Sequence, residues 1–307
     1  MRRKMFSRIG FFLLCIILFI AINSLIINGE GKRVLNNLTT PTINASSAIA
    51  IDSSNMQVIY EKDSKIPKSI ASLSKVLLVY VVFDQIKNGD LSLDDSFYLS
   101  DYGMEIGLNP SLSNVPLSAS QNYTVKELVD GVLIASANNC AITLAEGIAG
   151  SEDQFIELIK AYLEEWGIEE YQLTSVTGLD PDDMSSKELD KNEYNQFSAY
   201  DMAMISAKLV NDFPEVLDIT KQESVSFSDA YIENYNQLLP NKKYAYKGVD
   251  GLKTGTTESA GACLISTCVQ NEKRIITVVL GAQSDKKRYT DTTKLLDYSF
   301  SRINRER

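Results

Sequence analysis

The stretch Ile70-Ala71-Ser72-Leu73-Ser74-Lys75, followed by Val76-Leu77-Leu78, reads as the opening of a strongly apolar helix. That helix runs from Ser72 to about Asn88 and is stopped by Gly89. A spacing of three puts Ser72 and Lys75 on one face, one turn apart. The helix N-terminus favours the negative charge of a serine alkoxide. Burial of Lys75 among the apolar residues behind it favours the neutral amine. The pair is then a nucleophile beside a general base. This is chemistry that a chain with 0 histidines can perform. Ser-His-Asp and Cys-His catalysis and any His-ligated metal site are excluded.

Outward from this stretch, Ser47 to Asp52 and Gln57 to Glu61 read as a hairpin around Asp52-Ser53-Ser54-Asn55. Residues 90–123 are polar and loop-rich. Thr124-Val125-Lys126-Glu127 is a capping box opening a helix to about Ile134. Further helices follow Asn138 to near Gly147, Ser151 to Gly167 and Ser198 to Val210, with residues 171–197 irregular and acidic. Then the pattern changes. Gly248 to Thr256, Ala262 to Val269 and Arg274 to Ala282 read as strands, with a tight turn at Asn271-Glu272, and Ser284 to about Arg302 as a closing helix. Strands at both chain ends and helices between them predict an α+β arrangement: an antiparallel sheet joined to a helical region.

Two more motifs follow the first in order. Ser136-Ala137-Asn138 lies between two helical stretches, directly after an apolar one. Its hydroxyl can relay a proton and its amide can hold a substrate carbonyl. Lys253-Thr254-Gly255 occurs once and ends a strand. Its lysine and threonine can bind a carboxylate, and its glycine lets a substrate backbone come close. The gaps are 61 residues from Lys75 to Ser136 and 117 from Ser136 to Lys253. They suit a helical insertion between the two halves of a sheet. Each motif alone is short. Ser284-Asp285-Lys286-Lys287 repeats the first in a charged setting and reads as solvated surface. Ser53-Ser54-Asn55 and Ser120-Gln121-Asn122 repeat the second and read as turns.

S-x-x-K, S-x-N and K-T-G in that order form the set found in penicillin-binding proteins and class A β-lactamases. From Ser46 to Ser301 the chain resembles the low-molecular-weight penicillin-binding proteins, the serine-type D-Ala-D-Ala carboxypeptidases of the peptidase S11 type. The flanks carry the likeness too: Ser136-Ala137-Asn138-Asn139-Cys140-Ala141, Gly248-Val249-Asp250-Gly251-Leu252-Lys253-Thr254-Gly255-Thr256-Thr257 and, more weakly, Thr177-Gly178-Leu179-Asp180. The resemblance implies a β-lactamase/transpeptidase-like fold and a serine DD-peptidase that removes the terminal D-Ala from peptidoglycan stem peptides. By the same likeness Ser72 attacks the carbonyl between two D-alanines, and Lys75 takes its proton. Ser136 passes a proton to the leaving amine, and Asn138 holds the substrate amide. Lys253, Thr254 and Thr256 bind the terminal carboxylate beside Gly255. The N–H groups of Ser72 and Thr256 form the oxyanion hole. β-Lactam antibiotics would acylate Ser72 and leave slowly. No cofactor and no metal are implied. Asn139 stands where the family usually has aspartate.

Two other functions share these motifs. A class A β-lactamase needs an E-x-x-L-N loop, and the nearest stretch, Glu188-Leu189-Asp190-Lys191-Asn192, has lysine where leucine belongs. A penicillin-sensing or peptidoglycan-binding module would acylate without turnover. The complete set of motif side chains argues for catalysis instead.

Composition places the chain. It has 307 residues, 44% hydrophobic and 23% charged, with net charge −10. This is globular, long enough for a large core, and too acidic for a nucleic-acid partner. Residues 1–28 carry Arg2, Arg3, Lys4 and Arg8 and no acid, +4 in all, so the other 279 residues sum to −14 and the whole chain to −10. Ile9 to Ile22 is an apolar run of 14 residues that Leu25-Ile26-Ile27 extends past Asn23 and Ser24. The expected organisation is a cytoplasmic head at 1–8, a membrane anchor or signal segment at 9–28, a linker at 29–45 and a penicillin-binding domain at 46–303. The basic head keeps the N-terminus in the cytoplasm and places the body on the outer face of the cytoplasmic membrane, or in the medium if the segment is cleaved. With no second domain or C-terminal anchor in sight, that segment would be the tether. Cys140, Cys263 and Cys268 are read as small buried apolar residues, with Cys263 and Cys268 on opposite faces of one strand.

Overall fold

The computed structural model describes residues 39–184, 190, 192–227 and 230–303. The segment at 1–28, most of the expected linker and most of Glu188–Asn192 lie outside them. Among the described residues no helix is long and apolar enough to cross a membrane.

Strands β1 (Ser47–Asp52) and β2 (Val58–Lys62) form the expected hairpin. A short β3 (Lys68–Ser69) leads to a 3-10 turn at Ala71–Ser74 and helix α1 (Lys75–Asn88). Then come β4 (Ser96–Tyr98), α2 (Asp101–Leu108), β5 (Asn122–Thr124), α3 (Val125–Ile134), α4 (Asn138–Ala149) and α5 (Glu152–Glu165). After β6 (Gln196–Phe197) follow α6 (Ala199–Asp212), α7 (Val216–Thr220) and a hairpin of β7 (Ser224–Phe227) and β8 (Ala230–Glu233). The chain closes with β9 (Val249–Thr257), β10 (Gly261–Gln270), β11 (Lys273–Ala282) and α8 (Asp285–Ile303).

The main sheet has the order β2-β1-β11-β10-β9, and each adjacent pair is antiparallel. The first two strands thus pair with the last three, as strands at both chain ends predict. Alternate side chains feed two cores, as the period of two in a strand requires. Ile49, Ile51, Cys263, Ile265, Ile276 and Val278 join the large core on the helical side. Ala48, Ala50, Leu264, Cys268, Ile275 and Val279 pack with Leu295, Leu296 and Phe300 of α8. Cys263 and Cys268 therefore do face opposite ways, and all three described cysteines are free and buried. Ile43 and Ala45, in the stretch expected as linker, are already buried, and the backbone N–H groups of Asn44 and Ala45 donate to Asp291 of α8.

Local signals explain several helix ends. Thr124 accepts from Glu127 N while the Glu127 carboxylate accepts from Thr124 N, the reciprocal capping box. Ser151 and Ser198 cap α5 and α6, and Gly89 ends α1 in the left-handed conformation at φ 82°.

One expectation needs correction, and two regions hold elements that were not foreseen. The helix does not begin at Ser72: residues 71–74 are a 3-10 turn and α1 starts at Lys75. Ala71 has φ 49°, and the Ser74 hydroxyl donates to the Ala71 carbonyl, so an ordinary first turn cannot form there. Residues 90–123 are loop-rich as expected, but they also hold β4, α2 and the start of β5. These elements are three to eight residues long, too short to display a period. Residues 213–247, which carry no clear sequence signal, hold α7 and the β7–β8 hairpin.

Candidate active site

Ser72, Lys75, Ser136, Asn138, Lys253, Thr254, Gly255 and Thr256 come from three separate segments, and the fold brings them to one cleft. In the 3-10 turn residues i and i+3 eclipse, so Ser72 and Lys75 still share a face. Lys75 is fully buried. Its Nζ lies 2.8 Å from Ser72 Oγ, 2.7 Å from Asn138 Oδ1 and 2.9 Å from the Thr177 carbonyl oxygen. Burial, and next the nearby Lys253 charge, hold its pKa well below the ordinary lysine value. The partners fit a neutral amine. A neutral amine here would donate to the Asn138 and Thr177 oxygens and turn its lone pair to the Ser72 hydroxyl.

The first residue of α4, Asn138, works in two directions. Its Oδ1 accepts from Lys75, and its Nδ2 donates to the Ser113 carbonyl at 2.9 Å. Ser136 sits in the link between α3 and α4 with φ 56°, a conformation uncommon for residues with a side chain. The bend brings its hydroxyl 2.8 Å from Lys253 Nζ, which also donates to the Thr254 carbonyl. Burial, and then Arg288, lower the Lys253 pKa to about 7.

Strand β9 forms the opposite wall. Gly255 approaches the Ser72 turn so closely that a Cβ there would lie 3.1 Å from Ser72 N and 3.1 Å from Ile70 O. A side chain here would press on the turn, which would have to give by a few tenths of an ångström. Thr256 is exposed on the wall, and Thr254 is nearly buried beside it. The cleft has a volume of about 550 Å³ and is lined by Ser72, Ser113, Ser136, Thr254, Gly255 and Thr256 among others.

Several contributors carry no motif. Arg288 reaches from α8 and donates to Thr256 Oγ1 (2.8 Å) and to the Gly255 carbonyl (3.0 Å). It stands one residue beyond the repeated S-x-x-K, whose four residues are exposed as expected. Asn195 is buried and joins two loops. It accepts from Thr174 N and donates to Ser74 Oγ and to the Ser175 carbonyl, both at 2.7 Å. The weak block at Thr177-Gly178 proves to be structural. Thr177 lends its carbonyl to Lys75, and a Cβ on Gly178 would meet Ala71 O at 1.9 Å. Asn139 accepts from Val115 N and donates to the Val115 carbonyl at 2.7 Å, a donation that the aspartate usual in the family could not make. Among the described residues no cluster of three or more His, Cys, Asp or Glu is placed to hold a metal ion.

Comparison with known proteins agrees with this arrangement. The Peptidase_S11 profile, described as D-alanyl-D-alanine carboxypeptidase, matches residues 35–284. The chain belongs to this family. As a member of peptidase S11 it is 33% identical over 264 residues to D-alanyl-D-alanine carboxypeptidase DacC of Escherichia coli, covering 85% of this chain and 62% of that one. It is 30% identical over 267 residues to DacF of Bacillus subtilis, covering 84% and 62%. The chain thus spans about three fifths of the length of these relatives. Among solved structures it superposes with TM-score 0.82 on a peptidoglycan synthesis regulatory factor (PBP3) from Streptococcus pneumoniae, at 39% identity over 85% of this chain and 74% of that one. It also superposes with TM-score 0.72 on penicillin-binding protein D2 from Listeria monocytogenes in its ampicillin-bound form, at 29% identity over 85% and 99%. The fold is that of the penicillin-binding proteins.

Proposed function

We propose that this protein is a serine DD-peptidase that removes the terminal D-Ala from peptidoglycan stem peptides through an acyl-enzyme on Ser72. The observation that carries the reading is Lys75: a buried lysine with a lowered pKa, 2.8 Å from Ser72 Oγ, whose other two partners are uncharged oxygens. Ser72 Oγ gives its proton to Lys75 Nζ and bonds to the D-Ala carbonyl carbon. The oxyanion is held by the N–H groups of Ser72 and Thr256. The C–N bond breaks as the proton passes through Ser136 to the leaving amine. Asn138 holds the substrate amide. Lys253, Thr254 and Thr256, with Arg288 behind them, take the terminal carboxylate. Gly255 lets the peptide lie along β9 as an added strand. Water then hydrolyses the ester. β-Lactams enter the same path and stop at the ester.

The domain acts on the outer face of the cytoplasmic membrane. The supporting features are the four basic residues at 2–8 and the apolar segment 9–28, with the folded unit running from Ile43 to Ile303. Intact mass after exposure to benzylpenicillin tests the nucleophile. A one-to-one adduct is expected on the wild type and none on Ser72→Ala; an adduct on both would reject Ser72. Release of D-Ala from a peptide ending in D-Ala-D-Ala tests turnover. Adduct without release would leave a penicillin sensor instead of an enzyme.

A further inference from the structure

Charge is unevenly placed along the folded part of the chain. Segments 241–247 and 284–294 hold seven of the 30 lysines and arginines and two of the 40 acids. The rest of the chain therefore carries 23 bases against 38 acids. The fold brings the two basic segments together. Between them lies an open shelf of about 550 Å³, lined by Lys242, Lys243, Tyr244, Tyr289, Thr293 and Lys294 among others. The shelf shares Lys243, Tyr244 and Tyr289 with the wall of the catalytic cleft.

Three of the basic groups have carboxylate partners: Lys242 with Glu233, Arg288 with Asp285 and Lys294 with the buried Asp291. Lys243, Lys286 and Lys287 have no carboxylate in ion-pair range among the described residues. All three are exposed. Lys286 and Lys287 stand on α8 one helical turn before Thr290 of the shelf. Lys243 Nζ lies 5.2 Å from the centre of the Tyr244 ring. That ring stacks on Tyr289 with centroids 5.0 Å apart, and Tyr289 is itself fixed by donating to the Tyr235 carbonyl at 3.0 Å. The shelf thus has a rigid aromatic floor and a rim of unpaired ammonium groups.

The chemistry of the rim selects its ligand. Lysines act on phosphate as point charges, whereas arginine suits the bidentate grip of a carboxylate. The one arginine here, Arg288, is turned inward to Gly255 and Thr256. A membrane surface calls for exposed apolar side chains beside the lysines. This face is concave, and its two rings are buried or half-buried.

We infer that the shelf docks a strand of an anionic phosphodiester polymer, with phosphates on Lys243, Lys286 and Lys287 and the chain laid over the Tyr244 ring. The acidic remainder of the protein repels such a strand and steers it to this face. The docked strand lies beside the mouth of the catalytic cleft. Docking needs no acyl-enzyme, so the inference goes beyond the DD-peptidase reading and does not depend on it.

The test measures binding of poly(glycerol phosphate) to the full chain held in neutral-lipid nanodiscs. Wild type and Ser72→Ala are expected to bind alike, with Kd rising at least about tenfold as salt goes from about 0.05 to about 0.5 M. Lys286→Glu combined with Lys287→Glu is expected to weaken binding at least about tenfold and to leave benzylpenicillin acylation within twofold of wild type. Lys160→Glu combined with Lys221→Glu makes the same charge change at exposed sites elsewhere and is expected to weaken binding less than twofold. Equal losses in the two double variants would reduce the effect to net charge and overturn the shelf. Equal binding of poly-D-glutamate at matched charge would overturn the phosphodiester assignment. Capture of phosphatidylglycerol vesicles without polymer binding would make this face a membrane contact and overturn the inference. Polymer binding without D-Ala release would uphold the shelf and count against the DD-peptidase reading alone.

Discussion

Gly255→Ala is the sharpest probe of the cleft geometry. The new Cβ would lie 3.1 Å from Ile70 O, 3.1 Å from Ser72 N and 3.2 Å from Ala71 Cβ. None of these atoms is the end of a flexible side chain; two are backbone of the nucleophile turn. The turn must therefore move by a few tenths of an ångström. A misplacement of about 1 Å costs roughly 10²-fold in rate, so a shift of this size should cost about tenfold. Overpacking adds about 1–3 kcal/mol of destabilisation. The assay is the second-order rate of acylation by a fluorescent penicillin, with the melting temperature recorded in parallel. Gly89→Ala is the control. It sits at φ 82° with nothing within 4 Å of its would-be Cβ. It should lose about 1 kcal/mol of stability through backbone strain and keep its acylation rate. If Gly255→Ala acylated within twofold of wild type, Ser72 would not be held by this wall and the reasoning would fail.

Two further outcomes follow from the buried polar groups. Lys253 titrates near 7 in the fold against about 10.4 in the unfolded chain, so between those values the unfolded state binds more protons and stability rises with pH. The slope is about 1.4 kcal/mol per pH unit at most; urea unfolding at pH 7.5 and 9.5 should show this gain in wild type and a smaller one in Lys253→Met, and identical slopes would count against it. Asn195→Ala removes the amide that ties Ser74 to Ser175 and strands the Thr174 and Ser175 N–H donors at about 1–3 kcal/mol each. Denaturation should register a loss of about 2–4 kcal/mol with slower acylation, and a loss below 1 kcal/mol would argue that this joint is dispensable.

The three motifs were legible in the sequence because they are side-chain chemistry at short spacing. The sheet was legible because strands β9 to β11 are long, β10 and β11 are largely apolar, and short turns separate them. What stayed hidden works differently. The Ser113 and Thr177 carbonyls are backbone atoms, which carry no residue signature. Arg288 acts on Thr256 from 32 positions away and Asn195 on Ser74 from 121, so no local pattern joins them to the site. The left-handed Ala71 and Ser136 are imposed by their surroundings against their own preferences. A reading based on propensity therefore starts the helix at Ser72, although the i to i+3 geometry that matters survives the error. The overlooked α2 and β7–β8 are short elements whose stability comes from contacts distant in sequence.

The choice of amide over acid at position 138 follows from the same physics. Lys75 has three oxygen partners and no carboxylate among them, so nothing in direct contact holds a proton on it. Asn138→Asp would put a negative charge at a position now 2.7 Å from Nζ. An opposite charge this close raises a lysine's proton affinity by about ten- to a thousandfold. It would also set an acceptor against the Ser113 carbonyl where Nδ2 now donates. The base would then be protonated at neutral pH, and acylation of Ser72 should fall by a similar factor. The deciding readout is the pH profile. If charge is the cause, the alkaline rise in acylation moves upward by about one to three pH units and much of the rate returns at high pH. If Asn138 served only to touch substrate, the loss would be the same at every pH, and the reading of Lys75 as a base kept neutral by its uncharged partners would have to be abandoned.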